Sequence, residues 1–153
     1  MEITDLVTPA AVVASLKATS KKQALQDLAR RAAELTGEAE RAIFDVLLER
    51  ERLGTTGVGD GVAIPHGKLA NLKKLVGVFA RLERPIDFEA IDDQPVDLIF
   101  LLLAPGTAGA DHLKALARVS RLLRDRQMRE KLRGSETREA LYALLVEQQA
   151  SAA

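Results

Sequence analysis

Val96-Asp97-Leu98-Ile99-Phe100-Leu101-Leu102-Leu103-Ala104 is a nearly uninterrupted apolar run. A strand with one wet face alternates apolar and polar residues. A run that is apolar at both parities reads instead as a strand covered on both faces, as at the centre of an α/β sheet. The run is also far too short to cross a bilayer.

Downstream, Pro105-Gly106-Thr107-Ala108-Gly109 opens a loop. A helix starting near Ala110 carries Leu113, Leu116, Ala117, Val119, Leu122 and Leu123 as its apolar face. A short helix is predicted over Gln127 to Leu132, broken at Gly134, and Ser135 is predicted to cap the last helix, with Glu136 and Glu139 suited to its dipole. Upstream, Asp92-Asp93-Gln94-Pro95 and Pro85 mark loops, and Leu75 to Leu82 and Val62 to Ile64 read as strands. A first strand covers Ala11 to Leu16. Ser20-Lys21-Lys22-Gln23 then has the form of a capping box. The helix after it places Leu25, Leu28, Ala29, Ala32 and Leu35 on one face and stops at Gly37, and a second helix runs from about Glu38 to Leu53 with Ile43, Val46, Leu47 and Leu48 inward. The order of strand, two helices, several strands and then helices predicts an α/β fold in which helices cover a central sheet. No linker or internal repeat divides residues 1–153, so one domain is expected.

The 153 residues are 47% apolar, enough for a real core. Lys+Arg and Asp+Glu balance at 22 each, so no net field draws the chain to nucleic acid or an anionic membrane. Cysteine is absent, which excludes disulfides, thiolate catalysis and cysteine zinc sites. Neither a secretory signal nor a membrane-inserting segment is read, and a cytoplasmic protein is expected.

Chemistry concentrates in Gly54-Thr55-Thr56-Gly57-Val58-Gly59-Asp60-Gly61-Val62-Ala63-Ile64-Pro65-His66-Gly67-Lys68. An isolated turn histidine is more often structural than reactive. Here, however, His66 lies between a proline and a glycine at a strand end, where α/β folds place their sites, and glycines 54, 57, 59 and 61 upstream suit an anion-holding nest. His112 follows the buried run at a helix N-terminus, another anion-favouring place, although a helix-first-turn residue facing solvent is its plain reading. Within Glu49-Arg50-Glu51-Arg52 most charges read as solvated helix surface, but the Arg50 guanidinium has the reach and fork geometry for a phosphoryl group. Gly67-Lys68 is not a P-loop, because Gly61 is misplaced and Leu69 stands where Ser or Thr is needed. Gly57-Val58-Gly59-Asp60-Gly61 opens no helix and so is no dinucleotide fingerprint. A metal centre is also poorly served, with no His-x-x-x-His spacing and no carboxylates around His66.

Taken together, Arg50-Glu51 and the stretch from Gly54 to Gly67 resemble the active-site signature of the enzyme IIA components of the bacterial phosphotransferase system, of the mannitol/fructose type. Gly-Thr-Thr-Gly-Val-Gly is most similar to the nitrogen-type regulatory branch. The resemblance extends from Leu6-Val7-Thr8-Pro9 to the terminal helix. It implies a three-layer α/β/α sandwich with a central mixed β-sheet. It further implies that His66 receives a phosphoryl group from an HPr-like histidine phosphocarrier, itself charged from phosphoenolpyruvate through enzyme I. On the same resemblance His112 is the second active-site histidine and Arg50 the active-site arginine, and amides near Gly59, Gly61 and Gly67 are expected as further phosphate donors. No metal or cofactor is expected. Regulated targets of that branch include potassium transporters and sensor kinases. Other readings are a sugar-specific IIA, a binding module of the same fold without phosphohistidine chemistry, and a metal-dependent hydrolase.

Overall fold

A computed structural model describes residues 1–151. The strands are β1 (Val12–Leu16), β2 (Gly57–Gly59), β3 (Val62–Ala63), β4 (His66–Leu69), β5 (Val76–Ile86) and β6 (Val96–Pro105), and the helices are α1 (Lys21–Thr36), α2 (Glu40–Arg52), α3 (Ala110–Arg124), α4 (Arg126–Arg133) and α5 (Arg138–Ser151). The sheet order is β1-β5-β6-β3-β2, with β4 also on β6. β1 runs parallel to β5, β5 antiparallel to β6, both β3 and β4 parallel to β6, and β2 antiparallel to β3. The sheet is therefore mixed, and helical layers enclose it.

The apolar run is the centre, as its pattern demands. Every residue from Leu98 to Ala104 is fully buried. A strand buried at both parities needs cover on both faces. α1 and α2 pack on β5 and β4, whereas α3 packs on β6 and α5 on β1.

Local chemistry accounts for the helix ends. The Gln23 amide donates to Ser20 Oγ at 3.1 Å, while the Gln23 side-chain oxygen reaches one residue further than in a strict capping box and accepts from the Thr19 amide at 2.6 Å. α1 stops at Gly37, whose φ of 79° belongs to the left-handed region that favours glycine.

Several expectations change. Leu35 is 39% exposed because it falls off the inward stripe of α1, and in α2 Phe44 joins Ile43 and Leu47 in the core while Val46 and Leu48 are only half-buried. Pro85 does not end β5. The register with β6 shifts between Arg81 and Ile86, and a proline, which has no N–H to give, is tolerated where the ladder is already irregular. Leu113 is 69% exposed and Ala117 is exposed as well, their inward places taken by His112, Ala115 and Val119. Ser135 does not cap α5; its hydroxyl donates to the Lys131 carbonyl, and Thr137 Oγ1 accepts from the Ala140 amide instead. Glu136 consequently precedes the helix, and Glu139 is the acid in its first turn.

Candidate functional site

His66 does not close a turn but opens β4. β3 and β4 both run parallel to β6, and the interruption between them is Ile64-Pro65. Proline has no amide, so the ladder skips there, and the Pro65 carbonyl instead accepts from Leu102 N at 2.9 Å. His66, paired in register with Leu102, is left half-buried at this break.

Its ring is held at both nitrogens. Nδ1 lies 2.9 Å from the Ile64 carbonyl, and Arg50 Nε donates to Nε2 at 3.3 Å. A carbonyl can only accept and a guanidinium can only donate, so the two partners select the neutral tautomer with its proton on Nδ1 and its lone pair on Nε2. Arg50, at the C-terminal end of α2, is steadied by a 2.9 Å bond from Nη1 to the Gly54 carbonyl. The His112 ring, from the first turn of α3, meets His66 edge-on with centroids 5.6 Å apart. His112 is buried, and among the described residues its Nε2 has no hydrogen-bond partner.

Both imidazoles titrate below the ordinary histidine value. For His66 the main cause is burial. The Ile64 carbonyl acts against it, the Arg50 charge adds to it, and Glu51 opposes it. For His112 burial again leads, followed by His66 and Lys68. The site thus holds two neutral rings near pH 7. Because the folded protein binds these protons less readily than the unfolded chain, their contribution to stability is full above pH about 6.5 and is lost as pH falls through the lowered folded values. Asp92 is also held below the ordinary carboxylate value, by the Asp60 and Gln94 amides, but that loss belongs to a more acidic window. Urea midpoints are therefore expected to fall between pH 7 and 5, and less steeply in His112→Gln. A midpoint that holds or rises over that range would count against this electrostatic picture.

The glycines divide. Gly67 neighbours His66, and a Cβ there would meet Val46 Cγ1 of α2 at under 3.0 Å. Its bareness lets the helix bearing Arg50 approach the strand bearing His66. Gly59 and Gly61 lie elsewhere. They flank the β2–β3 turn, where Asp60 has φ 58° and Gly61 φ 79°. Arg133 and Asp97 close over Gly61, and Asp92 faces Gly59. Gly61 is five residues from His66 along the β3–β4 direction, about 16 Å at strand rise. The structure brings Arg50, His66 and His112 together, with Gly67 beside them, and does not bring Gly59 or Gly61 to the rings.

Sequence reasoning placed Glu51 in the Arg50-Glu51 part of the signature but gave it no role. Its side chain is 5% exposed and forms a 3.0 Å ion pair with Lys21. It accepts from the Thr56 amide at 3.0 Å and also from Thr56 Oγ1. Arg52, by contrast, remains at the surface with Glu49. The available signal was helical phase: Glu51 lies four residues after the buried Leu47, on the same side of α2. Among the described residues no group of three or more His, Asp or Glu converges on a metal position, and no helix is long and apolar enough to cross a membrane.

Residues 5–148 match the family model described as "Phosphoenolpyruvate-dependent sugar phosphotransferase system, EIIA 2". A protein of Bradyrhizobium diazoefficiens named "Nitrogen regulatory protein" is 65% identical over 153 residues, covering 100% of both chains. A "PTS system fructose-specific EIIA component" of Haloferax volcanii is 38% identical, covering 96% of this chain and 98% of its own. Among solved structures, the nitrogen regulatory protein IIA-Ntr of Neisseria meningitidis superposes with a TM-score of 0.89 at 34% identity, over 94% of this chain and 98% of that one.

Proposed function

The chain belongs to the phosphoenolpyruvate-dependent sugar phosphotransferase system EIIA 2 family, and from that premise we propose that it accepts a phosphoryl group on His66 Nε2 from an HPr-like histidine phosphocarrier. Its role is that of a regulatory IIA protein of the phosphotransferase system. We further propose that it acts in the cytoplasm as a single IIA domain. The phosphorylation state would govern its binding to nitrogen- or potassium-related targets, a transporter or a sensor kinase.

The observation that carries this reading is the pair of contacts on the His66 ring, Ile64 carbonyl at Nδ1 and Arg50 Nε at Nε2, which selects its tautomer. A phosphoryl acceptor needs a lone pair on a neutral ring, and with Nδ1–H committed to Ile64 that pair lies on Nε2, where it accepts from Arg50 Nε. As the donor's N–P bond breaks, the Nε2–P bond forms. The leaving imidazole takes the electron pair of the broken bond, and no proton need move. The accepting ring gains positive charge, which strengthens the Nδ1–H bond to the Ile64 carbonyl. Arg50 must release Nε2 for in-line attack, and its guanidinium then has phosphoryl oxygens within reach. With its proton on Nε2, which is buried and has no partner among the described residues, His112 would donate to one of those oxygens. Charge in such a transition state spreads over the equatorial oxygens, so fixed donors do most of the work. The test is incubation with phosphoenolpyruvate, enzyme I and the carrier, followed by mapping of acid-labile phosphate. One phosphate per chain on His66 is expected, and label on any other residue would refute the assignment.

Two large apolar side chains are exposed close in sequence to the site residues: Leu53, 81% exposed just past α2, and Leu113, which follows His112 in the chain. Exposed apolar groups beside a reactive centre suit a protein donor. Leu113→Lys is expected to slow transfer from the carrier at least about tenfold, the scale at which interface anchors act. Uptake from a small donor such as phosphoramidate should not change. Equal slowing with both donors would remove Leu113 from the docking surface.

A second reading, a sugar-specific IIA, is favoured by the fructose-specific relative. Transfer of phosphate onward to a sugar-specific IIB protein at a rate matching carrier turnover would select it over regulation.

A further inference from the structure

We infer that Glu51 is a positioning residue for this phosphoryl transfer, acting on His66 through Thr56 and Ile64; the inference rests on the reading of His66 as acceptor. Arg50 and Glu51 are neighbours at the end of α2, yet they face different ring nitrogens. Arg50 touches Nε2 directly. Glu51 reaches the Nδ1 side through three successive links. Its carboxylate binds Thr56 by both backbone amide and hydroxyl. The Thr56 carbonyl accepts from the Ile64 amide at 3.0 Å. The Ile64 carbonyl then takes the His66 Nδ1 proton at 2.9 Å.

The middle link matters because Ile64 lies in the gap between β3 and β4, outside both strand ranges. Its amide is held by Thr56 and its carbonyl by His66, so Thr56 locates the group that selects the tautomer. Thr56 in turn is buried in a glycine-rich stretch, and Glu51 binds two of its polar groups. If the role were only to tie α1 to α2, the Lys21–Glu51 ion pair would suffice. That pair has a further support, because Lys21 Nζ lies 4.8 Å over the Phe88 ring and 3.8 Å from Glu89. The pair of hydrogen bonds from Thr56 is unnecessary for such a tie and is what a ring-positioning role requires.

The experiment is NMR of the imidazole nitrogens of His66, together with the rate of phosphorylation by phosphoramidate, in wild type, Glu51→Ala and Glu51→Gln. The wild-type ring is expected as a single Nδ1–H tautomer. In Glu51→Ala the two nitrogen signals should move toward each other as the tautomers mix, and the rate should fall about tenfold, as for loss of an orienting hydrogen bond. Glu51→Gln keeps an oxygen for Thr56, and both effects should be present but smaller, with a rate loss of about twofold to threefold. A merely structural Glu51 would lower the melting temperature and leave the ring nitrogens of the folded protein unchanged. Wild-type nitrogen signals and rate in a folded Glu51→Ala protein overturn the proposal. If that variant does not fold, the same result in Glu51→Gln overturns it. Wild-type protein that takes no phosphate on His66 would defeat the acceptor reading instead. The nitrogen signals need no phosphate and would still decide whether Glu51 sets the ring.

Discussion

A His66→Ala protein takes up no acid-labile, base-stable phosphate from the phosphoenolpyruvate chain, while keeping its melting temperature within a few degrees of wild type. The fold has little reason to depend on this ring, which is half-buried and, among the described residues, hydrogen-bonded only to Ile64 and Arg50. The chemistry depends on it wholly, because the alternative acceptor, His112, is buried with its ring edge-on to His66. His112→Ala should accordingly slow transfer by about 10²-fold, the scale for losing one donor to a developing oxyanion, with phosphate still found on His66. Phosphate on His66→Ala at wild-type stoichiometry, or its complete loss in a folded His112→Ala, would exchange or cancel these roles.

Gly67→Ala is expected to have the largest effect on stability around the site. The added methyl falls on Val46 Cγ1, and a β-branched side chain in a helix has one strongly preferred rotamer, so it cannot turn aside. Overpacking of this kind costs about 1–3 kcal/mol, a fall in melting temperature of about 3–9 °C for a chain of this size. Val46→Ala in the same chain should recover part of it, giving a coupling of about 1 kcal/mol or more between the two positions. Because alanine keeps the backbone amide, a Gly67 that served only as a phosphate donor would leave stability untouched. Strict additivity with Val46→Ala would therefore refute the packing role. Displacing α2 also displaces Arg50, so the rate of phosphorylation should fall with stability.

Much of the architecture was legible because it rests on local patterns. The both-parity apolar run of β6 announced a covered central strand, and the Ser20 cap and Gly37 stop bracketed α1 as they stand. The misreadings share a cause. Leu113 and Ala117 were counted inward because they are apolar, yet which stripe of α3 turns inward is set by its docking on β6. β2 and β4 are only three and four residues long and carry too little pattern to be seen. Pro85 looked like a terminator because the bulge that tolerates it exists only through pairing with β6.

The candidate site divides along the same line. Residue identity and spacing made Arg50, His66 and His112 candidates, and the resemblance to the IIA signature gave them their roles. Nothing in the chain order could separate Gly67 from Gly59 and Gly61, because the difference is whether Val46 or Arg133 lies across from them. Nor could it state that Glu51 is buried against Thr56 and Lys21, or which imidazole nitrogen holds the proton. Those depend on burial and on partners brought from α1, the glycine loop and the β3–β4 break. Hydrogen bonds and desolvation act over a few ångströms, between groups that only the folded chain makes neighbours.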